Sequence, residues 1–135
     1  MRVLGVSGSL RRDSYNTKLL RAAGRLLEAE GAEFAIYDRL KQIPPYDEED
    51  DGERAPATVA DFRDAIAGAD AVIFATPEYN SSIPGQLKNA VDWASRPLAT
   101  NVLRNKPVAV VGASTGMFGA VWAQAELRKV LGATG

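Results

Sequence analysis

Residues 70–77, DAVIFATP, contain five consecutive apolar residues without alternation, closed by Thr76 and Pro77. A strand half open to water alternates polar and apolar side chains. An unbroken apolar run bounded by turn residues suits a strand covered on both faces. Val3–Val6 and residues 107–113 read the same way, and Glu33–Tyr37 gives a further strand. Between these runs the period changes. From Thr17, Leu19, Leu20, Ala23, Leu26 and Leu27 share one helical face, and Gly31 stops it. Ala57–Gly68 carries the stripe Val59, Phe62 and Ile66. Pro84 is expected as the first residue of a helix lined by Leu87, Val91 and Ala94. Ala123, Leu127, Val130 and Leu131 mark a last helix. Buried strands alternating with helices predict a doubly wound α/β domain with helices on both faces of a parallel sheet.

The 135 residues, 46% of them apolar, fit one domain of ordinary size, spanning 1–135. Such sheets usually hold five or more strands, and four are read here. The chain stops at LGATG, a helix end where a fifth strand is expected, so a truncated or partly ordered chain, or a partner on the sheet edge, is expected.

Several chemistries are excluded. The chain has no cysteine and no histidine, which removes thiolates, disulfides, iron–sulfur clusters, the usual zinc sites and a Ser-His-Asp triad. No side chain has an unperturbed pKa near neutrality. Hard chemistry then falls to a bound organic cofactor. The net charge of −1 argues against nucleic-acid binding. No run of eighteen apolar residues offers a membrane span, and MRVLGV does not read as a signal peptide. A cytoplasmic protein is expected.

Three polar loops follow strand ends, where ligands of doubly wound sheets sit. In SGSLRRDSYN and the Thr17 that follows it, Ser9, Ser14, Asn16 and Thr17 surround a helix N-terminus and Arg11, with Arg12 beside it, adds charge. Free N–H groups, the helix dipole and a guanidinium suit a terminal monophosphate. The loop is neither a Walker A motif nor G-x-G-x-x-G. In PEYNSS, Tyr79 and Asn80 are placed to meet the edge of a flat heterocycle, Ile83 or Tyr79 to lie against its face, and Glu78 to anchor the loop or a subunit contact. In GASTGMFG, glycines allow close backbone approach, and Phe118 either packs inward or covers a ring. Trp93 reads as helix packing. Residues 40–56, with their prolines and acidic cluster, read as a solvated connection that stays out of the core, or as a flap over a site.

GSLRRDSYN together with TPEYNSSIPGQLKNAVDW strongly resembles the NADPH-dependent FMN reductase family of flavodoxin-like proteins, over nearly the whole chain. The resemblance implies strand order 2-1-3-4, FMN as cofactor and NADPH or NADH as co-substrate. It implies hydride transfer through flavin N5 to a quinone or similar small acceptor, in a homodimer or homotetramer. Ser9, Arg11, Ser14, Asn16 and Thr17 are implied to hold the FMN phosphate. Pro77, Glu78, Tyr79 and Asn80 would border the isoalloxazine ring, and Ser114, Thr115 and Gly116 would close the other side. The pattern departs where Phe118-Gly119 stands in place of a double glycine. A non-enzymatic flavodoxin-type electron carrier is the alternative. A receiver domain is disfavoured, because Ser7-Gly8 and Thr76-Pro77 stand where Mg²⁺-binding carboxylates belong.

Overall fold

The computed structural model describes residues 1–135. Strands β1 (Arg2–Ser7), β2 (Glu33–Tyr37), β3 (Ala71–Ala75) and β4 (Val108–Val111) form one parallel sheet in the expected flavodoxin-like order β2-β1-β3-β4. Helices α1 (Tyr15–Ala29), α2 (Ala57–Ala67), α3 (Gly85–Ala94) and α4 (Val121–Ala133) connect and follow them. No helix is long and apolar enough to cross a membrane.

Side chains alternate across a strand. Leu4, Val6, Val72, Phe74 and Val110 therefore share one face, where Phe62, Ile66, Leu87, Trp93, Leu127 and Leu131 of α2, α3 and α4 meet them in a single core. Helix α1 covers the opposite face, with Leu20 fully buried. It packs close because Gly5 and Gly24 leave room for the Phe34 ring, with which a Cβ on either glycine would collide. The stop at Gly31 (φ 88°) is as predicted. Its N–H reaches the Glu28 carbonyl and that of Ala32 the Leu27 carbonyl, a Schellman closure.

Burial on both faces is complete only in β1 beyond Arg2; in β3, Ala71 and Ile73 on the α1 side are half-buried. Val108 and Ala109 of edge strand β4 are exposed, and β4 is shorter than residues 107–113. Helix α1 begins at Tyr15 rather than Thr17, because Ser14 caps it. Leu26 faces solvent, since Leu20 and Gly24 set the contact line on the sheet. Pro84 is not the first helical residue. It is the extended cap (ψ 136°) one position ahead of Gly85.

The segment 40–56 also departs from expectation. Leu40 and Ile43 are buried, and the Tyr46 ring meets Trp93 edge-on at 4.9 Å. The Pro44 carbonyl accepts from Asn89 Nδ2 and Trp93 Nε1, both at 2.8 Å. Gln86 Nε2 donates to the Leu40 and Ile43 carbonyls. Pro44 is thus held against the core, because fully buried Trp93, a packing residue as expected, needs an acceptor for its indole N–H, while Pro45 stays exposed. The acidic stretch beyond Tyr46 is mostly solvated, apart from an Asp51–Arg63 ion pair at 3.0 Å with both side chains largely covered.

Candidate functional site

The loop from Gly8 to Ser14 joins the C-terminal end of β1 to the N-terminus of α1. Ser14 Oγ accepts from the Asn16 and Thr17 N–H groups, an N-cap that stops the strand-to-helix transition in place. Buried Asn16 donates through Nδ2 to the Ala113 carbonyl at 3.0 Å and accepts through Oδ1 from the Ala113 N–H at 2.9 Å. This amide stitches the first loop to the end of β4. Thr17 Oγ1 donates to Ser7 Oγ at 3.1 Å, on the α1–β2 side of the loop. Ser9 Oγ accepts from the Arg11 N–H at 3.4 Å, so the side chains of four of the five predicted phosphate ligands, all but Arg11, make internal bonds. The backbone N–H groups of Leu10, Arg12, Asp13 and Tyr15 have no partner within the protein, and Arg11 makes no ion pair. The Arg11 guanidinium lies over the Tyr15 ring, 5.7 Å from its centroid.

After β3, Thr76 Oγ1 donates to the Pro77 carbonyl at 2.7 Å. Tyr79 and Ser82 pair through reciprocal backbone hydrogen bonds of 3.1 Å, and Asn80 and Ser81 between them are both left-handed (φ 52° and 59°). That is the two-residue tight turn for which asparagine is favoured. Two carboxylates fasten this turn to α4. Glu78 Oε1 accepts from the Ala123 N–H at 2.9 Å, supplying the cap that Ala120 lacks, and Ser82 Oγ donates to Glu126 Oε2 at 2.6 Å. The Ser82 hydroxyl, with Lys129 nearby, holds the Glu126 carboxyl below the usual glutamate range. Glu78 thus anchors the loop, one of the two roles expected for it. Glu126 was missed, and nothing local in the sequence marks a partner 44 residues away.

After β4, Ser114 Oγ accepts from the Gly116 N–H at 3.0 Å, and residues 114–118 are exposed. Phe118 does not pack inward. It meets Trp122 edge-on at 5.0 Å on the surface, and Met117, Val121 and Trp122 are exposed beside it. The left-handed pair of this loop is Gly119 and Ala120 (φ 58° and 60°), so the residue occupying a glycine-type conformation is Ala120, not Phe118. Gly112 is needed for another reason: a Cβ there would lie 2.7 Å from the Thr76 carbonyl oxygen.

The three loops meet. A cavity of about 230 Å³ is lined by Ser9, Arg11, Ser14, Asn16, Pro77, Glu78, Tyr79, Ser114 and Thr115 of the predicted set, together with Tyr15 and Ala113. Thr17, Asn80 and Gly116 lie outside its lining. A neighbouring cavity of about 460 Å³ lies across the first loop, toward β2, and shares Ser9 and Arg11 with it. Leu40 and Lys41 border this second cavity, whereas the acidic stretch reaches neither. Tyr37, also on its wall, has its phenol pushed up to about 12 by burial and by its hydrogen bond to Asp61, so it stays neutral.

The donor set suits FMN: unpartnered amides and a guanidinium at a helix N-terminus for the phosphate, with exposed loop backbone opposite for a flat polar ring. Comparison with known proteins agrees. Residues 1–135 match the family described as NADPH-dependent FMN reductase. The chain is 47% identical over 131 residues to NAD(P)H-dependent FMN reductase PA1204 of Pseudomonas aeruginosa, covering 97% of this chain and 69% of that protein. It is 39% identical over 132 residues to the quinone reductase of Escherichia coli strain K12, covering 97% and 69%. Among solved structures it is similar to FerB, the flavoenzyme NAD(P)H:(acceptor) oxidoreductase of Paracoccus denitrificans. That match has a TM-score of 0.91 and 42% identity, over 99% of this chain and 72% of that one. The order of the sheet, the converging loops and the full-length match together place the chain in the NADPH-dependent FMN reductase family.

Proposed function

We propose that this chain is an FMN-dependent NAD(P)H oxidoreductase that reduces quinones, free flavin or related small acceptors, with residues 1–135 acting as one flavin-binding domain. The observation that carries the reading is the convergence of three strand-end loops on one cavity whose first wall offers free amides beside Arg11. Bound FMN supplies the two-electron chemistry between donor and acceptor. The protein binds and orients. Arg11 and the amides of Arg12, Asp13 and Tyr15 hold the phosphate dianion. Ser9 and Ser14 donate hydroxyl hydrogens, which their acceptor bonds leave free. Asn16 and Thr17 hold the loop in shape, and Thr17 contributes from the far side. Pro77, Glu78, Tyr79 and Asn80 border one side of the isoalloxazine ring through their backbone. Ser114, Thr115 and Gly116 close the other and stabilise charge on the reduced ring. The lack of histidine fits, because the reaction needs no protein acid–base residue.

The exposed patch of Met117, Phe118, Val121 and Trp122 beside the cavity supports assembly as a homodimer or homotetramer. A cytoplasmic location fits the absence of a membrane-spanning helix. The second reading, a flavodoxin-type carrier, needs no pyridine nucleotide, and Arg11 in the phosphate loop favours the reductase. Mixing the FMN-loaded protein anaerobically with NADPH separates them. Rapid bleaching of the flavin absorbance, restored by a quinone, is expected. A flavin that stays oxidised would leave only the carrier.

A further inference from the structure

Resting on the flavin-reductase reading, we propose that the larger cavity between α1 and the end of β2 receives the 2′-phosphate-bearing adenosine end of the pyridine nucleotide, and so selects NADPH over NADH. Four cations line it: Arg11 and Arg12 from the first loop, Arg21 from α1, and Lys41 from the turn after β2. None of the four forms an ion pair. The one carboxylate on the wall, Asp38, already lies 3.7 Å from the Arg39 guanidinium, which also holds Asp61 at 2.7 Å. A solvated run of like charges on one helix would need no explanation. Here the fold gathers positive charge from three separate elements around a concavity and leaves it uncompensated, an arrangement that concentrates anions.

The volume and the position narrow the ligand. About 460 Å³ is twice the neighbouring cavity and more than a lone phosphate needs. Its wall includes apolar surface from Leu10 and Ile36, suited to the face of a purine. Ser9 and Arg11 belong to both cavities, so the two are contiguous across the first loop. FMN carries one phosphate, at the end of its ribityl chain. A dinucleotide whose nicotinamide reaches the ring end is longer, and runs on past that phosphate. Across the first loop it meets Arg12, Arg21 and Lys41. NADPH differs from NADH by a single dianionic group on the adenosine ribose, so uncompensated cations at that end discriminate between the two.

The test is calorimetric titration of the FMN-loaded protein with adenosine 2′,5′-bisphosphate and, separately, with 5′-AMP. The bisphosphate is expected to bind at least tenfold more tightly. The double variant Arg21→Ala/Lys41→Ala is expected to shrink that gap below threefold while binding FMN as the unaltered protein does. Both side chains are exposed, so the fold is unaffected. Equal binding of the two nucleotides, or a gap that survives the double substitution, overturns the donor assignment alone. A parallel loss of FMN affinity also overturns it, because the cavity is then the flavin's own phosphate site. A protein that takes up no FMN overturns the flavin reading and the donor assignment with it.

Discussion

The first and last of the three rim loops use their polar side chains in opposite ways. In the first, Ser14 caps its helix, Asn16 is locked onto Ala113, and Thr17 is bound to Ser7. In the last, a single Ser114–Gly116 contact closes a small turn, and the residues around it face solvent. The first loop is therefore built before any ligand arrives. It presents backbone amides and an arginine in fixed positions, so binding there costs little ordering. The last loop owes its shape mainly to a left-handed Gly119-Ala120 pair and to Gly112, and its side chains contribute little to stability.

Substitutions test this contrast in descending order of effect. Asn16→Ala removes both bonds to Ala113 and leaves a carbonyl and an N–H without partners where a buried amide stood. It is expected to cost about 2–3 kcal/mol in urea unfolding and to weaken FMN binding as well. Arg11→Ala separates binding from folding. The side chain is exposed, so the unfolding midpoint should hold, whereas loss of charge-assisted bonds to the phosphate should weaken FMN by about 2 kcal/mol, roughly 30-fold in a fluorescence titration. Ser14→Ala should cost about 1 kcal/mol of stability through the lost cap. Thr115→Ala should shift stability by less than about 0.5 kcal/mol. If Thr115→Ala destabilised the fold as much as Asn16→Ala, the contrast between the loops would be gone.

The smallest effect is electrostatic. Above the ordinary glutamate range Glu126 is charged in folded and unfolded chains alike, and its low folded pKa means the Ser82 contact stabilises there. That contribution fades as the pH falls through the folded pKa. Ser82→Ala should move the Glu126 carboxyl back toward the ordinary range in an NMR titration.

The inner part of the fold was legible in the sequence because period and burial coincide there. The runs at Val3–Val6 and 71–75 became the two inner strands, and Val59, Phe62 and Ile66 became the core stripe of α2. Gly31 stopped α1 through the backbone geometry expected of glycine. Legibility failed where a long-range partner decided the outcome. The Pro44 carbonyl is held by side chains 45 and 49 residues away, so a segment that looks like a solvated loop is half anchored. Leu26 fits the helical stripe of α1, but the sheet contact follows the line of Leu20 and Gly24. The convergence of the candidate site was legible as three clusters of polar residues at strand ends. The division of labour within it was not, because a serine or asparagine that caps and a serine or asparagine that binds look alike until their partners are known.

The central claim is that a phosphate anchored at the first loop holds the flavin in place. Titrating the purified chain in parallel with FMN and with riboflavin, which lacks only the phosphate, tests it most directly. FMN should bind at one per chain and at least a hundredfold more tightly than riboflavin, a gap of about 2.7 kcal/mol. Equal affinity for the two, or none for either, would contradict the account.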